Sequence, residues 1–458
     1  VGTKVCQRTI ATLGRLDVLQ TTGQIDGVVK SLAKYAVHTA ALAAGREQRP
    51  ASSERIGPVL VFERIWDELG VGSILNRLLS SRRFEFPVER AVFITVLHRL
   101  FVSGSDRAAD TWCRRYAIDG LDQLELHHLY RAMAWLGEAL PEQQQAGATP
   151  FAPRCVKDLA EEELFAHRRD LFTELEMVFF DTTSLYFEGE GGEGLGQRGK
   201  SKDHRPDLPQ MVVGMVLDNT GRPLCCELWP GNTTDVTTLV PVVRRLRQRF
   251  AVRRVCIVAD RGMISAGTIA KLQCEELDCR YILGARMRSV KEVDREVLAR
   301  AGRYHVVHGP PECSTDPSPL KVKQVCVEDR RYIVCYNEEQ ARKDRADREA
   351  ILGHLEQALK HGDKSLVGNK GYRRYLTNPG EDHFEVDFDK ARSEARYDGK
   401  WVLRTDTELG SDEAALKYKQ LWMVEALFRD LKSLVRTRPI YHHHDETIRG
   451  HVFCSFLA

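Results

Sequence analysis

The sequence carries almost no excess of charge of either sign. Its 67 Lys and Arg residues against 65 Asp and Glu residues give a formal net charge of +2, so overall charge does not indicate a nucleic-acid partner. The twelve cysteines form no CxxC pair, which excludes the common zinc-binding spacings and indicates reduced thiols. No uncharged apolar run reaches the roughly 18 residues that span a bilayer, and no signal peptide opens the sequence. We therefore expect a cytoplasmic protein.

A length of 458 residues exceeds one ordinary hydrophobic core and predicts roughly two to four domains. Residues 1–150 are predicted to form a mainly α-helical region, because apolar side chains recur at helical spacing between Val59 and Gly137. The segment Pro141–Pro153, rich in Gln and Pro, is typical of a linker. Because the sequence begins at Val1 and stops inside an apolar run, we expect a fragment that lacks both natural ends.

From Met177 onward the pattern changes to that of an α/β domain. Strands are predicted at Met177–Phe187, Gln210–Leu217, Leu224–Trp229, Arg254–Ala259 and Arg280–Gly284. Helices are predicted at Asp235–Phe250 and Ser265–Glu276. The order of three strands, helix, strand, helix and strand predicts the first part of a core over residues 170–286.

A long insertion is predicted over residues 287–410, before the chain returns to the core. It contains a hairpin pattern at Val322–Tyr336 and a charged helix at Glu338–Lys360. A strong helical pattern follows at Asp412–Val435, within the last predicted segment of the core, residues 411–458.

Two aspartates stand where an α/β sheet usually places ligands. Asp181 lies inside the first predicted strand, where a charge is unfavourable unless it is exposed at a site or paired. Asp260 ends the fourth predicted strand, and the carboxyl ends of such strands face ligands; alone it could equally be a helix cap or a turn residue. Together they suggest the converging carboxylates that metal-assisted phosphoryl transfer requires.

A third carboxylate is expected from the later helix. Glu425 lies among cations at the edge of the apolar stripe of this helix. The simpler interpretation is an ion pair with Arg429 one helical turn away, which would contribute only a few tenths of a kcal/mol.

The spacing of Tyr418, Glu425 and Lys432 matches the Tyr-x2-Arg-x3-Glu-x6-Lys signature of a large group of DDE transposases from bacterial insertion sequences. Leu421 stands at the signature arginine, so contacts made by that arginine are not carried over. Further segments resemble the same group in the same order: Phe179–Glu188, Ser201–Gln210, Pro230–Asp235, Val258–Met263 and Arg438–His451. The resemblance covers the chain from about Val61 to its end.

This resemblance implies an α/β, RNase H-like mixed sheet with a partly β insertion before the catalytic helix, preceded by an all-α region that could bind DNA ends. It implies metal-dependent cleavage of transposon DNA ends and strand transfer to target DNA, with Mg²⁺ as cofactor and Mn²⁺ as an alternative. Asp181, Asp260 and Glu425 would be both catalytic residues and metal ligands. The expected partners are double-stranded DNA, as terminal inverted repeats and as target, and a second copy of the chain in a synaptic homodimer at the bacterial nucleoid.

DNA contacts are expected from a set of basic and aromatic side chains: Lys200, Arg205, Trp401, Tyr418, Arg429 and Lys432. Trp401 could hold a flipped base by stacking, or could pack in the core of its own strand. Two basic clusters could contact the DNA backbone or form solvated helix faces. Their members are Arg244, Arg245, Arg247, Arg249, Arg253 and Arg254, and Arg429, Lys432, Arg436 and Arg438.

Two other motifs suggest different chemistry. Gly194–Ser201 fits the P-loop pattern of an NTPase, but a P-loop must open a helix, and Lys202–Pro209 contains two prolines without helical periodicity. A flexible basic loop near DNA is favoured instead. His442–His444 with His451 could form a metal site, although a solvated turn after Pro439 is favoured. Two functional alternatives also stay open: an RNase H-like nuclease that cuts without joining, and an inactive DNA-binding remnant.

Overall fold

The computed structural model divides the chain into two compact units, Val1–Arg55 and Ile56–Ala458. It describes residues 15–32, 54–146, 148–149, 152–168, 176–250, 255–313, 316–360, 372–380 and 383–458. In the first unit the described residues form two short helices, α1 (Leu16–Thr21) and α2 (Gln24–Leu32). No helix in the described segments is both long enough and apolar enough to cross a membrane.

The second unit opens with helices and continues as a sheet covered by further helices. Its helices are α3 (Gly57–Glu68), α4 (Val71–Leu79), α5 (Val88–Phe101), α6 (Asp106–Cys113), α7 (Leu126–Gly137), α8 (Val156–Arg168), α9 (Asp235–Phe250), α10 (Ala266–Leu272), α11 (Glu338–Lys360), α12 (Phe388–Glu394), α13 (Ser411–Lys419), α14 (Trp422–Ser433) and α15 (Asp445–Leu457). Its strands are β1 (Met177–Tyr186), β2 (Gln210–Leu217), β3 (Pro223–Pro230), β4 (Cys256–Ala259), β5 (Arg280–Ala285), β6 (His305–His308), β7 (Leu320–Val327), β8 (Arg330–Tyr336), β9 (Leu376–Gly380), β10 (His383–Val386) and β11 (Lys400–Thr405). The helical pattern predicted for residues 59–137 is confirmed by α3 to α7.

The central helix of the helical region is α5, most of whose residues are buried because α6, α7 and the C-terminal α15 pack around it. Helices α7 and α15 pack so closely that their backbones are in contact. A Cβ on Gly137 would lie 1.9 Å from the carbonyl oxygen of Glu446, and a Cβ on Gly450 would lie 1.9 Å from that of Met133. Only glycine fits at both positions, so the last helix of the chain is locked onto the helical region.

Nine strands form one mixed sheet in the order β3-β2-β1-β4-β5-β11-β8-β7-β6. Strands β1, β2 and β3 run antiparallel as a meander, whereas β4 and β5 run parallel to β1 and are reached through helices. This is the arrangement of an RNase H-like core, as predicted. Strands β6, β7, β8 and β11 come from the predicted insertion and extend the same sheet through the β11–β5 pairing. The predicted hairpin and charged helix are confirmed as β7–β8 and α11.

The alternation of side chains along β1 separates the two faces of the sheet. Val178 and Phe180 belong to the core shared with α9 and α10, whereas Phe179 and Leu185 belong to the core shared with α14 and α15. Asp181 has the parity of Phe179, so it faces the α14 side. Thr182 has the opposite parity and faces the start of α9.

The predicted helix Asp412–Val435 is interrupted. Helix α13 ends at Lys419 and α14 begins at Trp422, with Gln420 and Leu421 between them. The sequence has no proline or glycine in this stretch, so periodicity alone gave no signal for the break. As a consequence, Tyr418 and Glu425 lie on different helices.

The predicted solvent-facing or DNA-facing role is wrong for two arginines of the first basic cluster. Arg245 and Arg249 are buried, at 3% and 9% exposure, in an ion network between α8, α9 and β3. The members of this network are Lys157, Asp158, Glu161, Glu227, Arg245 and Arg249. Three buried cations face three buried carboxylates, and at the edge of the network Glu162 pairs with both Arg249 and Arg154, so the charges balance where water is excluded. Arg253 and Arg254 lie outside the described residues.

Candidate active site

Asp181 and Asp260 are brought side by side by the pairing of their strands. The parallel register places Phe180 opposite Ala259, and the next residue on each strand is one of the two aspartates. Asp181 lies within β1 and Asp260 directly after β4, both partly buried. The register of two parallel strands therefore accounts for the predicted convergence of these carboxylates.

Tyr418 holds Asp260 through a hydrogen bond. Its hydroxyl donates to Asp260 Oδ1 at 2.9 Å. A Cβ on residue 284 would lie 2.4 Å from this hydroxyl, so Gly284 in β5 makes room for it. Burial and the Asp260 carboxylate raise the pKa of Tyr418 above its ordinary value. The phenol therefore stays protonated and remains a donor to Asp260.

Glu425 completes a shared cavity of about 210 Å³ with the two aspartates. Its other lining residues are Trp401, Tyr418, Lys419, Leu421 and Trp422. Glu425 is exposed on the first turn of α14, and no ion pair joins it to Arg429 within the described part of the chain. The interpretation of Glu425 as half of a helical ion pair is therefore wrong.

The three carboxylates line one cavity, but their oxygen atoms are not all within 4.8 Å of one another. Among the described residues, the group of three metal-ligating side chains whose donor atoms all lie within 4.8 Å of one another is Asp106, His442 and His451. Glu425 lies on a separate helix and is exposed, whereas the two aspartates are partly buried.

Asp181 is a carboxyl group of the site whose pKa is shifted from its ordinary value. Burial raises its pKa to about 6, and the neighbouring carboxylates of Asp260 and Asp235 add to this rise. The Lys202 ammonium and the backbone N–H of Thr182, which donates to Asp181 Oδ1 at 2.7 Å, act in the opposite direction. A cation bound beside Asp181 would favour its ionised form, against the effect of burial.

Lys202 and Asp235, which contact the residue after Asp181, were not predicted as part of the site. Thr182 donates through Oγ1 to Asp235 Oδ1 at 2.7 Å, and the Lys202 ammonium donates to the Thr182 carbonyl at 2.7 Å. Lys202 also lies 3.3 Å from Asp235 Oδ2. The signal was present, because Lys202 stands in the basic loop and Asp235 closes the Pro230–Asp235 segment, but their convergence depends on the fold.

Comparison with protein-family models gives a match to the transposase DDE domain over residues 174–458. This chain belongs to the DDE transposase family. Residues 1–41 match a second model, the N-terminal domain of IS1634 family transposases. The transposase is thus an enzyme of DNA recombination from the insertion-sequence group, and members of its family use divalent metal ions and act on DNA.

Solved structures and curated sequences add little to this assignment. The transposase resembles the cryo-EM structure of a piggyBac transposase synaptic complex with hairpin DNA, at 12% identity and a TM-score of 0.41, over 87% of this chain and 73% of that chain. A comparison with curated proteins found no match.

The basic residues expected to contact DNA differ in their surroundings. Lys432 Nζ and Arg438 Nε both bind the Asp203 carboxylate, at 2.9 and 3.1 Å, and burial lowers the pKa of Lys432. Arg205 pairs with Asp207 and lies over the ring of Tyr186. Lys200 and Arg429 are exposed, and neither side chain has an ion-pair partner within the described segments. These two are the most accessible of the predicted contacts.

Two tryptophans form walls of the cavity. Trp401 in β11 is half-buried, and its indole Nε1 is shielded from solvent without a partner among the described residues. Trp422, at 62% exposure, lines the same cavity and was not predicted. Trp401 packs against the core, as the simpler interpretation requires, and also borders the site, so the structure is compatible with either role.

The glycine-rich stretch Gly194–Ser201 forms no P-loop. It lies between β1 and β2, and no helix follows it before β2. The backbone N–H groups of Gly194 and Leu195 donate to the Asp445 carboxylate instead of facing an open phosphate site. The prediction against an NTPase is confirmed in this respect.

Proposed function

We propose that the protein is a Mg²⁺-dependent transposase in which Asp181, Asp260 and Glu425 carry out cleavage of transposon DNA ends and strand transfer. The observation that carries this proposal is the single cavity lined by all three carboxylates, which come from two adjacent strands and a separate helix. Two-metal phosphoryl transfer requires carboxylates that converge in this way from different elements.

The donor set fits a hard divalent cation. All three proposed ligands offer carboxylate oxygens, which Mg²⁺ prefers, with Mn²⁺ as an alternative. Burial raises the pKa of Asp181 to about 6, and the nearby carboxylates of Asp260 and Asp235 add a smaller rise that a bound cation would offset. When bound, the metal ions would stabilise charge on the phosphoryl oxygens and lower the pKa of the attacking water.

The surrounding residues would position the ligands and the DNA. Tyr418, which we initially expected to contact DNA, is better placed to orient Asp260 through its hydrogen bond. Lys202 and Asp235 would fix the backbone next to Asp181. The walls formed by Trp401 and Trp422 would exclude water and offer aromatic faces to DNA bases.

Other parts of the chain would bind DNA and a second protomer. Exposed Lys200 and Arg429 beside the site would contact backbone phosphates, with smaller contributions from Lys432 and Arg205 in their present ion pairs. We assign DNA-end binding to residues 1–150, the two parts of the catalytic core to 170–286 and 411–458, and an accessory role to 287–410. Because a transposon has two ends, we infer a homodimer that holds both terminal inverted repeats at the nucleoid.

The test replaces each carboxylate by its isosteric amide and separates binding from chemistry. Asp181→Asn, Asp260→Asn and Glu425→Gln should each abolish Mg²⁺-dependent cleavage of a transposon-end duplex and retain binding to it. Asp430→Asn is the matched control, because Asp430 is exposed on the same helix as Glu425 and does not line the cavity.

A second assay decides between a transposase and a nuclease that only cuts. Pre-cleaved ends with a free 3′-hydroxyl should be joined to target DNA by the unmodified protein and not by Asp181→Asn. Cleavage without joining would support the nuclease, whereas cleavage that persists in Glu425→Gln would refute the assignment of the third carboxylate.

A further inference from the structure

A second and larger cavity, of about 670 Å³, lies between the helical region and the segment that connects α14 to α15. Its size is within the range of ligand-binding pockets. The helical region contributes Ser103, Gly104, Ser105, Asp106 and Tyr130, and the C-terminal segment contributes Arg436, Arg438, Pro439, Tyr441, His442, His443, His444, Thr447 and His451. We call this cavity the C-terminal pocket.

Arg436 is the cation that this pocket offers to a ligand. It is exposed, and within the described part of the chain its guanidinium makes no hydrogen bond and no ion pair. Its backbone adopts a left-handed conformation with φ of 48°, which is uncommon for a residue other than glycine. Strained backbone of this kind is retained chiefly where it serves a site.

A second residue that lines the pocket, Ser103, also has a left-handed backbone conformation. Ser103, at the end of the segment after α5, has φ of 49° and donates a hydrogen bond through Oγ to the carbonyl of Leu434. The two left-handed residues therefore face one pocket from two parts of the chain, and a hydrogen bond joins their segments. Tyr441, at 62% exposure, adds an accessible aromatic ring to the same pocket.

The charge balance of the pocket favours an anion. Asp106 is the carboxylate among its described lining residues, and it already faces Arg99 at 3.6 Å and His442 at 3.4 Å. Arg438 is paired with Asp203, which leaves the Arg436 guanidinium as the open positive charge.

A metal ion fits less well at the buried end of the pocket. Arg99 Nη2 lies 3.0 Å from His451 Nδ1, the nitrogen that a metal would need, because Nε2 of the same ring is hydrogen-bonded to the Thr437 carbonyl at 3.0 Å. The guanidinium thus occupies the position of a cation. The earlier expectation of a solvated turn is wrong for His442 and His451, which are partly and almost fully buried, and holds for exposed His443 and His444.

The C-terminal pocket is connected to the carboxylate cavity along α14. From Glu425 to the end of this helix at Ser433 the axial distance is about 12 Å, at roughly 1.5 Å per residue. Asp203 then joins Lys432, on the last turn of α14, to Arg438 of the C-terminal pocket.

From these observations we propose that the C-terminal pocket binds a backbone phosphate of the transposon-end DNA, held by Arg436. This assignment rests on the proposed transposase function, because it is the bound DNA that brings the phosphate into place. In this contact the guanidinium of Arg436 binds the negatively charged oxygens of a phosphate group. A free phosphate ion is the other source of this chemistry.

The first experiment replaces single phosphates of a transposon-end duplex with uncharged methylphosphonates and measures affinity. Replacement of the phosphate at one position of the duplex should weaken binding to the unmodified protein about tenfold. In Arg436→Ala the unmodified duplex should bind about tenfold more weakly, with no further loss at that position, because the two changes remove the same contact. Arg295→Ala, which removes an exposed arginine of the insertion, is the control and should leave the position-specific loss intact.

The second experiment uses Arg436→Gly, which removes the guanidinium and relieves the left-handed backbone together. The thermal midpoint should rise while DNA affinity falls and the slope of log affinity against log salt decreases by about one. A higher midpoint with unchanged affinity and salt slope would refute the proposal.

A third measurement identifies the source of the phosphate. Stabilisation of the unmodified protein by millimolar inorganic phosphate, lost in Arg436→Gly and without any position-specific methylphosphonate effect, would assign the pocket to a free anion and refute the DNA contact. Loss of cleavage in Asp181→Asn tests the transposase function independently, so each assignment can fail without the other.

Discussion

The buried ion network between α8 and α9 leads to a quantitative prediction for Asp158→Asn. Asp158 is fully buried and accepts hydrogen bonds from Lys157 Nζ at 2.7 Å, Arg245 Nη2 at 3.0 Å and the backbone N–H of Cys155 at 2.8 Å. The substitution leaves the three buried cations facing two fully buried carboxylates, Glu161 and Glu227, with Glu162 at the edge of the network as a further partner of Arg249. Removing one partner from a buried pair costs about 3–5 kcal/mol, a large part of a total stability of about 5–15 kcal/mol.

The assay is urea unfolding followed by circular dichroism. With an m-value of about 3 kcal/mol/M, a loss of 3–5 kcal/mol lowers the midpoint by roughly 1–2 M. Lys157→Met combined with Asp158→Asn removes one buried cation together with one buried carboxylate and should recover part of this loss. Asp207→Asn, which breaks an exposed pair with Arg205, is the control and should change the midpoint little.

The same substitution changes the dependence of stability on pH. Burial alone would raise the pKa of Asp158, but Lys157, Arg249 and Arg245 hold it well below its ordinary value. Because the unfolded chain binds the proton first, this stabilisation is present above the unfolded pKa of about 3.9 and is lost as pH falls below it. Asp158→Asn should therefore flatten the acid limb. A midpoint within 0.3 M of the parent would refute the view that the network is an essential part of the fold.

Four further predictions concern the site and its support. Because Asp181 has a pKa of about 6 and must lose its proton to bind metal, metal affinity should rise between about pH 5 and 7, and the metal-free protein should lose stability as pH rises from about 4 to 6. Tyr418→Phe should lower cleavage about 10–100-fold with normal DNA binding, since it frees Asp260. Trp401→Ala should lower the thermal midpoint with normal end processing per folded molecule if the ring is only core. Gly450→Ala should destabilise by at least about 1–3 kcal/mol, because its Cβ meets the Met133 carbonyl.

Each of these predictions has a control or an outcome that would contradict it. A flat metal affinity from pH 5 to 7 would show that Asp181 is already ionised in the free enzyme. Tyr336→Phe should leave cleavage normal, because no hydrogen bond of its hydroxyl is present in the described structure. For Trp401→Ala, normal stability with nicking intact but the second strand left uncut would support base capture. Gly309→Ala should be neutral, since a Cβ there meets nothing within 4 Å.

The periodicity of apolar residues predicted the strands of the core, but it did not predict the break between α13 and α14. The alternation and apolar runs that mark β1 to β5 are local properties, and the structure places these strands within a few residues of their predicted ends. The break between α13 and α14 is different, because it has no proline, glycine or capping side chain to announce it. There, tertiary packing overrides a continuous helical pattern.

The two arginines of the buried network show why charge runs are poor guides to function. Arg245 and Arg249 lie in a sequence of six arginines, which is typical of a solvated or DNA-binding face. Their partner Asp158 stands 87 residues before Arg245, on another element. No local pattern could pair them. In contrast, Asp181 and Asp260 were predictable, because strand ends and strand neighbours are fixed by the order of the elements.

The position of the C-terminal segment explains how the helical region is linked to β1, the strand that carries Asp181. Ile440 pairs beside the end of β1, where its N–H donates to the Tyr186 carbonyl at 3.1 Å and its carbonyl accepts from the Glu188 N–H at 3.0 Å. A few residues later the chain enters α15, which is locked onto α7 at Gly450. The strand that carries Asp181 is thus joined to the helical region by backbone contacts at both ends of a short segment. The same segment lines the C-terminal pocket, so the pocket is held between the helical region and the chain that leaves the end of this strand.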